Sequence, residues 1–275
     1  MERNLTDQEI TEFKTDGVAV LRKAVDGIWV DRLSAVIDQQ LAAPSKWSND
    51  ANPGATEDRH FSDRYLWQEN LEINAFIRES GCARLAAQAM TSKSARFYFD
   101  HLLVKEPGTA NPTPWHQDIP YWPFQGKQIC SIWLALTPCD IASSSLEFVR
   151  GSHLDNKYYV AEVFGDNDDS NASWINEGSG EKCPDIESDR QNFDIIGYNM
   201  APGDALIFSA WTLHGAQGNG STDQRRAAIS TRWLGDDAVW FPHDGADPTV
   251  TQDDVSVLPG QAPLDDAVFP ELWHS

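Results

Sequence analysis

The sequence predicts a mainly β chain, a sandwich or barrel of short strands with helices packed on one face. Two observations carry this. Amphipathic helical periodicity is confined to roughly the first 92 residues. Beyond Lys93 the texture turns to short aromatic and β-branched runs separated by Gly and Pro, the pattern of strands joined by tight turns. Helices first and strands after suit helices laid on one side of a sheet structure. Hydrophobic residues make up 41% of the 275-residue chain, with 11 Trp and 12 Phe, enough for a sizeable core. All-β chains of this length often stay single, so one domain is expected, with a helical part over 1–92, a β core over 93–235 and an acidic extension over 236–275.

Element by element, Thr6-Asp7-Gln8-Glu9 is a capping box opening a helix that Gly17 ends. Val18 to Leu21 is a short β-prone run. Val30, Leu33, Val36, Ile37 and Leu41 place a second helix over Trp29 to Leu41. Ser45 to Asp63 is polar and reads as loop. Leu71 to Ile77 and Cys82 to Met90 predict two further helices around Gly81. Strands are predicted at Arg96 to Lys105, Gln128 to Leu136, Leu146 to Val149, Ala205 to Ala210 and Ala227 to Leu234. Residues 152–199 form a long acidic connection containing Tyr158, Tyr159, Phe164 and Trp174, expected either as a solvated insertion or as a lid. The segment from Asp236 is expected to wrap the surface.

The net charge of −21 argues against nucleic acid and anionic membrane as partners. Cys82, Cys130, Cys139 and Cys183 show no Cys-x-x-Cys pairing and read as reduced thiols. The N-terminal residues lack a signal-peptide core, and no apolar run is long enough to span a bilayer. A cytoplasmic protein acting on a small molecule is expected; its oligomeric state stays open.

Chemistry concentrates in Trp115-His116-Gln117-Asp118, between Pro112, Pro114 and an aromatic run. Were this stretch extended, alternation would put His116 and Asp118 on one face, two thirds of a site for a divalent metal with mixed N and O ligands. Among the other histidines, His60, His243 and His274 lie in polar or terminal segments, and His153 suits a turn cap. His101 could point into the barrel, as a core histidine or a site residue. His214 stands apart: it follows the strand begun at Gly203-Asp204 and precedes Gly215-Ala216. Further on, Arg225-Arg226 enters the last strand. That strand holds no acidic residue, so an inward arginine would need a carboxylate from elsewhere, such as a bound dicarboxylate; otherwise it faces solvent.

The ordered set of His116-x-Asp118, Val149-Arg150-Gly151-Ser152-His153, Gly203-Asp204, His214-Gly215-Ala216, Asn219 and Arg225-Arg226 resembles the phytanoyl-CoA dioxygenase family. Asp16 to Leu21 resembles that family's opening segment. The resemblance extends from about Thr6 to Gly235.

It implies a double-stranded β-helix, the cupin-like jelly roll, holding one Fe(II) with 2-oxoglutarate and O2 as co-substrates. His116, Asp118 and His214 would be the metal ligands and catalytic centre. An arginine would meet the far carboxylate of 2-oxoglutarate. Arg225 has the family's usual offset from His214, whereas Arg226 fits the register of the strand. Loops absorb insertions more readily than strands absorb slips, which favours Arg226. Ser131 and Trp133 are expected along the co-substrate wall. Tyr121, Trp122, Pro123 and Phe124, with His101, are expected to line the substrate entrance, suiting an apolar molecule or a quaternary ammonium. Because Asp118 is present, hydroxylation of an unactivated C–H bond is expected rather than halogenation. Desaturation, ring formation or peroxide formation are the alternatives within the class. A jelly-roll hydrolase or isomerase with another metal, or a ligand-binding module, is the alternative outside it. No basic patch suited to CoA is evident.

Overall fold

The computed structural model describes residues 3–161 and 178–275. Four helices fall within the first ninety residues, interleaved with short strands. In α1 (Asp7–Asp16) the Thr6 hydroxyl accepts from the Glu9 amide while the Glu9 carboxylate accepts from the Thr6 amide. Gly17 ends the helix at φ 82°, and a side chain there would collide with Thr212 and His153. Asp26 caps α2 (Gly27–Ala42) and Asn70 caps α3 (Leu71–Glu79); α4 spans Cys82–Met90. The helices bury Phe13, Leu33, Ile37, Phe76 and Leu85, among others, in one core with the outer face of a large sheet. Each such side chain contributes about 1.5–3 kcal/mol of burial.

That sheet runs β1 (Val18–Leu21), β10 (Ala205–Ser209), β7 (Ile129–Ala135), β12 (Arg226–Leu234), β4 (Ser94–Lys105), β3 (His60–Arg64), β2 (Asn49–Ala51), with β14 (Glu271–His274) also on β4. A smaller sheet runs β5 (Thr113–His116), β11 (His214–Ala216), β8 (Leu146–Val149), β9 (Ile195–Gly197), and β6 (Phe124–Gln125) pairs with β13 (Val239–Trp240). The named strand pairs are antiparallel. Inner-face residues Trp133, Phe148, Leu206, Phe208 and Ala228 share one apolar cluster. The architecture is a double-stranded β-helix with helices on one face.

Three expectations are corrected. Ser45 to Asp63 is not wholly loop, since β2 and β3 form there and extend the large sheet. Only Phe61 in β3 is apolar and buried, so pairing with β4 rather than local pattern makes the strand. The segment after Asp236 does more than wrap the surface: Trp240 and Phe269 are fully buried, and β14 adds a strand to β4. Its acids serve as turn caps, Asp236 accepting from the Lys93 and Ser94 amides and Asp237 from those of Lys127 and Gln128. The third correction is that Asp118 does not share an extended strand with His116. Phe164 and Trp174 lie outside the described residues. No helix among those described is long and apolar enough to cross a membrane.

Candidate metal centre

His116 ends β5, His214 begins β11, and the two stand directly opposite each other in the antiparallel pair. Their ring centroids are 4.2 Å apart. Gly215 permits this close approach, because a Cβ there would lie 3.0 Å from the Thr113 carbonyl. Asp118 arrives by a different route from the one alternation suggested. The strand stops at His116, and Asp118 adopts helical dihedrals (φ −73°, ψ −38°) ahead of a 3-10 turn at Ile119–Tyr121. The turn, not a strand face, aims its carboxylate. Oδ1 stands 3.8 Å from Nε2 of both histidines, and the three candidate ligand atoms lie within 4.8 Å of one another.

The donor set fits a divalent metal. The Nδ1 atoms of His116 and His214 lie 2.8 Å and 3.0 Å from the Pro114 and Thr212 carbonyls. A carbonyl can only accept, so Nδ1 carries the proton and each Nε2 presents its lone pair to the shared space. Burial pushes the His116 pKa down to about 3 and lowers that of His214, keeping both rings neutral. Burial works to raise Asp118, but His214, Arg232, His116 and a hydrogen bond from Ser131 outweigh it and hold the carboxyl below its usual range. Ser131 Oγ donates to Asp118 Oδ2 at 2.6 Å, leaving Oδ1 for the metal.

Gln117, between the two candidate ligands, is a residue that sequence reasoning misses. It is buried and donates to the carbonyls of Lys157 and Trp211, while its carbonyl accepts from the Tyr159 amide. It thereby ties the turn to the strand leading to His214. Its position inside the His-x-Asp triplet is the one signal that points to it.

The two adjacent arginines point opposite ways, Arg225 just before β12 and Arg226 as its first residue. Arg225 lies outside the barrel, 2.7 Å from Glu106 and 2.9 Å from Asp38. Arg226 lies inside and is 4% exposed, donating to the Leu103 carbonyl and towards Ser144 Oγ. Lys105 stands opposite it across the β12–β4 pair, fully buried, with Nζ on the Gln217 carbonyl. Period-two counting from His101 through Leu103 marks Lys105 as an inward residue. Several inward polar atoms have no hydrogen-bond partner among the described residues: Trp133 Nε1, His101 Nε2, Ser230 Oγ, Arg226 Nε, and Arg232 Nε and Nη1. Buried polar groups rarely stay unpaired, and such a cluster fits a polar ligand.

The aromatic run divides. Tyr121 packs edge-on to His116, centroids 5.7 Å apart, so it adjoins the centre. Trp122 neighbours Phe99 and the Arg232 guanidinium. Phe124 packs against Tyr98, Trp240 and Phe269, within the core beneath the C-terminal segment. His101 faces the interior opposite Ser230.

The fold recurs in solved structures at low sequence identity. The carbocyclase SnoK of nogalamycin biosynthesis, described as non-heme and alpha-ketoglutarate-dependent, aligns at TM-score 0.73 with 20% identity over 97% of this chain and 96% of that chain. The epimerase SnoN, in complex with Fe3+, alpha-ketoglutarate and nogalamycin RO, gives 0.71, 22%, 97% and 98%. EctD from S. alaskensis with 2-oxoglutarate and 5-hydroxyectoine gives 0.68, 17%, 94% and 86%. No curated protein sequence matches. The family model for phytanoyl-CoA dioxygenase matches residues 13–227, which include α2 to α4, the smaller sheet and all three candidate ligands. The chain belongs to the phytanoyl-CoA dioxygenase (PhyH) family.

Proposed function

We propose that the protein is an Fe(II) and 2-oxoglutarate-dependent oxygenase that hydroxylates an unactivated C–H bond in a small molecule. The observation carrying this reading is the convergence of His116, Asp118 and His214, both imidazoles neutral and presenting Nε2. Three ligands on one side of a metal leave positions free for a chelating keto acid and O2. When bound, iron supplies the oxidising chemistry: 2-oxoglutarate and O2 give succinate and CO2, and the second oxygen atom enters the substrate.

The chain's own residues hold and orient. Arg226 meets the far carboxylate of 2-oxoglutarate, with Lys105 opposite it across the β12–β4 pair. Trp133 Nε1, which lacks a partner among the described residues, offers a further donor along the same wall, and Ser131 orients Asp118. Phe148 and Phe208 pack on His214, at 5.9 Å and 4.7 Å between centroids, and keep water from that side. Tyr121 and Trp122 line the approach beside His116 and Arg232.

Ring closure and epimerisation are a second reading within the same class, favoured by the activities named for SnoK and SnoN. All three outcomes consume 2-oxoglutarate and differ in the fate of the substrate carbon. The test is anaerobic titration of the iron-loaded protein with 2-oxoglutarate. A visible metal-to-ligand charge-transfer band is expected, followed by succinate release on admitting O2 with a metabolite panel. Without a band, the oxygenase reading falls to that of a jelly-roll metalloprotein of another class.

A further inference from the structure

Arg232 lies six residues after Arg226 on β12 and, by alternation, on the same inner face. It is 6% exposed, and Nε and Nη1 have no hydrogen-bond partner among the described residues. Its backbone stands opposite Ser131, the residue that bonds Asp118, so it sits at the level of the metal centre. The guanidinium carbon lies 4.8 Å from the Phe99 ring centroid and 5.9 Å from that of Trp122. A buried guanidinium without an acceptor is costly, and aromatic faces offset only part of that cost.

The nearby groups leave its charge unmatched. Asp118 faces it but is committed to Ser131 and the metal. Asp100 is on the opposite face of β4, and its oxygens accept from the Leu66 and Trp67 amides. Tyr65 and Tyr98 bond each other through their hydroxyls. His101, on the same inner face, is neutral, its pKa lowered by burial and by Arg232 itself. On the co-substrate reading above, a divalent metal, Asp118, a dianionic keto acid and Arg226 sum to zero, while burial and the neighbouring Arg226 push Lys105 towards its neutral form. One buried positive charge is left over, at the aromatic end of the barrel.

We propose that Arg232 is a specificity-determining residue that binds an anionic group, a carboxylate, of the substrate to be oxidised. The substrate class is then an amphipathic acid: a carboxylate taken bidentately by the guanidinium, and an apolar body against Phe99 and Trp122. A cationic substrate, which these rings alone would have suited, is opposed by the arginine already seated on them. The one other anion within reach is the near carboxylate of 2-oxoglutarate, and the experiment separates the two.

The proposal rests on the oxygenase reading for its charge balance, so the two are measured separately. Protein loaded with Mn(II) and 2-oxoglutarate is titrated with aryl-alkanoates, their methyl esters and the matching amines, with binding read by calorimetry. Co-substrate affinity is read from the anaerobic charge-transfer band. Carboxylates are expected to bind at least tenfold more tightly than their esters or amines. Arg232→Gln should erase that preference while 2-oxoglutarate affinity stays within about twofold, and Arg232→Lys should keep part of it. No preference for anions in the parent protein, or an Arg232→Gln loss falling on 2-oxoglutarate, overturns the proposal. Should the charge-transfer band be missing while carboxylates still bind through Arg232, the oxygenase reading fails and the anion site stands.

Discussion

Ser131 Oγ reaches Asp118 Oδ2 at 2.6 Å from a strand of the opposite sheet, so the carboxylate is held from both sides of the barrel. Outer partners of this kind fix ligand orientation and tune affinity. Ser131→Ala should weaken Fe(II) binding roughly 10- to 100-fold. Metal titration of the variant, with its melting temperature as a check on folding, measures this.

The two imidazoles are expected to be indispensable. His116→Ala or His214→Ala should abolish succinate formation and erase the rise in melting temperature that a bound metal gives the parent protein. That rise reaches about 2.7 kcal/mol of stability when metal stands at a hundred times its dissociation constant. Calorimetric melting with and without Mn(II) reads it directly, and retained activity would remove that histidine from the centre.

Arg226 and Arg225 should separate cleanly. Arg226→Ala removes an inward guanidinium and should raise the 2-oxoglutarate requirement by about two orders of magnitude, from the loss of a charge-assisted bidentate contact. Arg225→Ala should leave that requirement unchanged. It instead strips Glu106 of its partner and should cost about 1–2 kcal/mol in stability, the pair being partly solvent-screened. Steady-state kinetics and denaturant melts distinguish the two variants, and the reverse pattern would exchange their roles.

Asp100 gives a pH dependence away from the metal. Burial raises its pKa to about 6, against the lowering by the Leu66 and Trp67 amides. Its folded value therefore lies above the unfolded one, and between about pH 4 and 6 the folded state binds more protons. Stability must then fall as pH rises through that window, by about 2–3 kcal/mol from this group. In Asp100→Asn the slope of unfolding free energy against pH between 4 and 6 should shift upwards by that contribution. Denaturant melts across the range check it, and an unchanged slope would show that Asp100 is not the source.

The sequence carried most of the frame because its local signals agree with the fold. The Thr6–Glu9 capping box, the helical spacing of Leu33 and Ile37, and the alternation of Ser131 and Trp133 against Ile132 and Leu134 each appear in the structure. Register counted back from Ala228 and Ser230 also puts Arg226 on the inner face of β12. β3 was invisible because its pairing with β4, not its composition, makes it a strand. Phe124 could not be told from an entrance residue, because the Trp240 and Phe269 that bury it come more than a hundred residues later.

What the sequence determined by itself is the inventory: two imidazoles, a carboxylate and a pair of arginines of which the strand register favours Arg226 as the inward one. What the tertiary structure decided is convergence. The β5–β11 pairing brings His116 against His214, and a helical turn, not an extended strand, delivers Asp118 between them. Lys105 and Arg232 become buried only when the barrel closes around them. Burial is a property of the surroundings rather than of the residue, and whether a charge is matched depends on partners that lie far away along the chain.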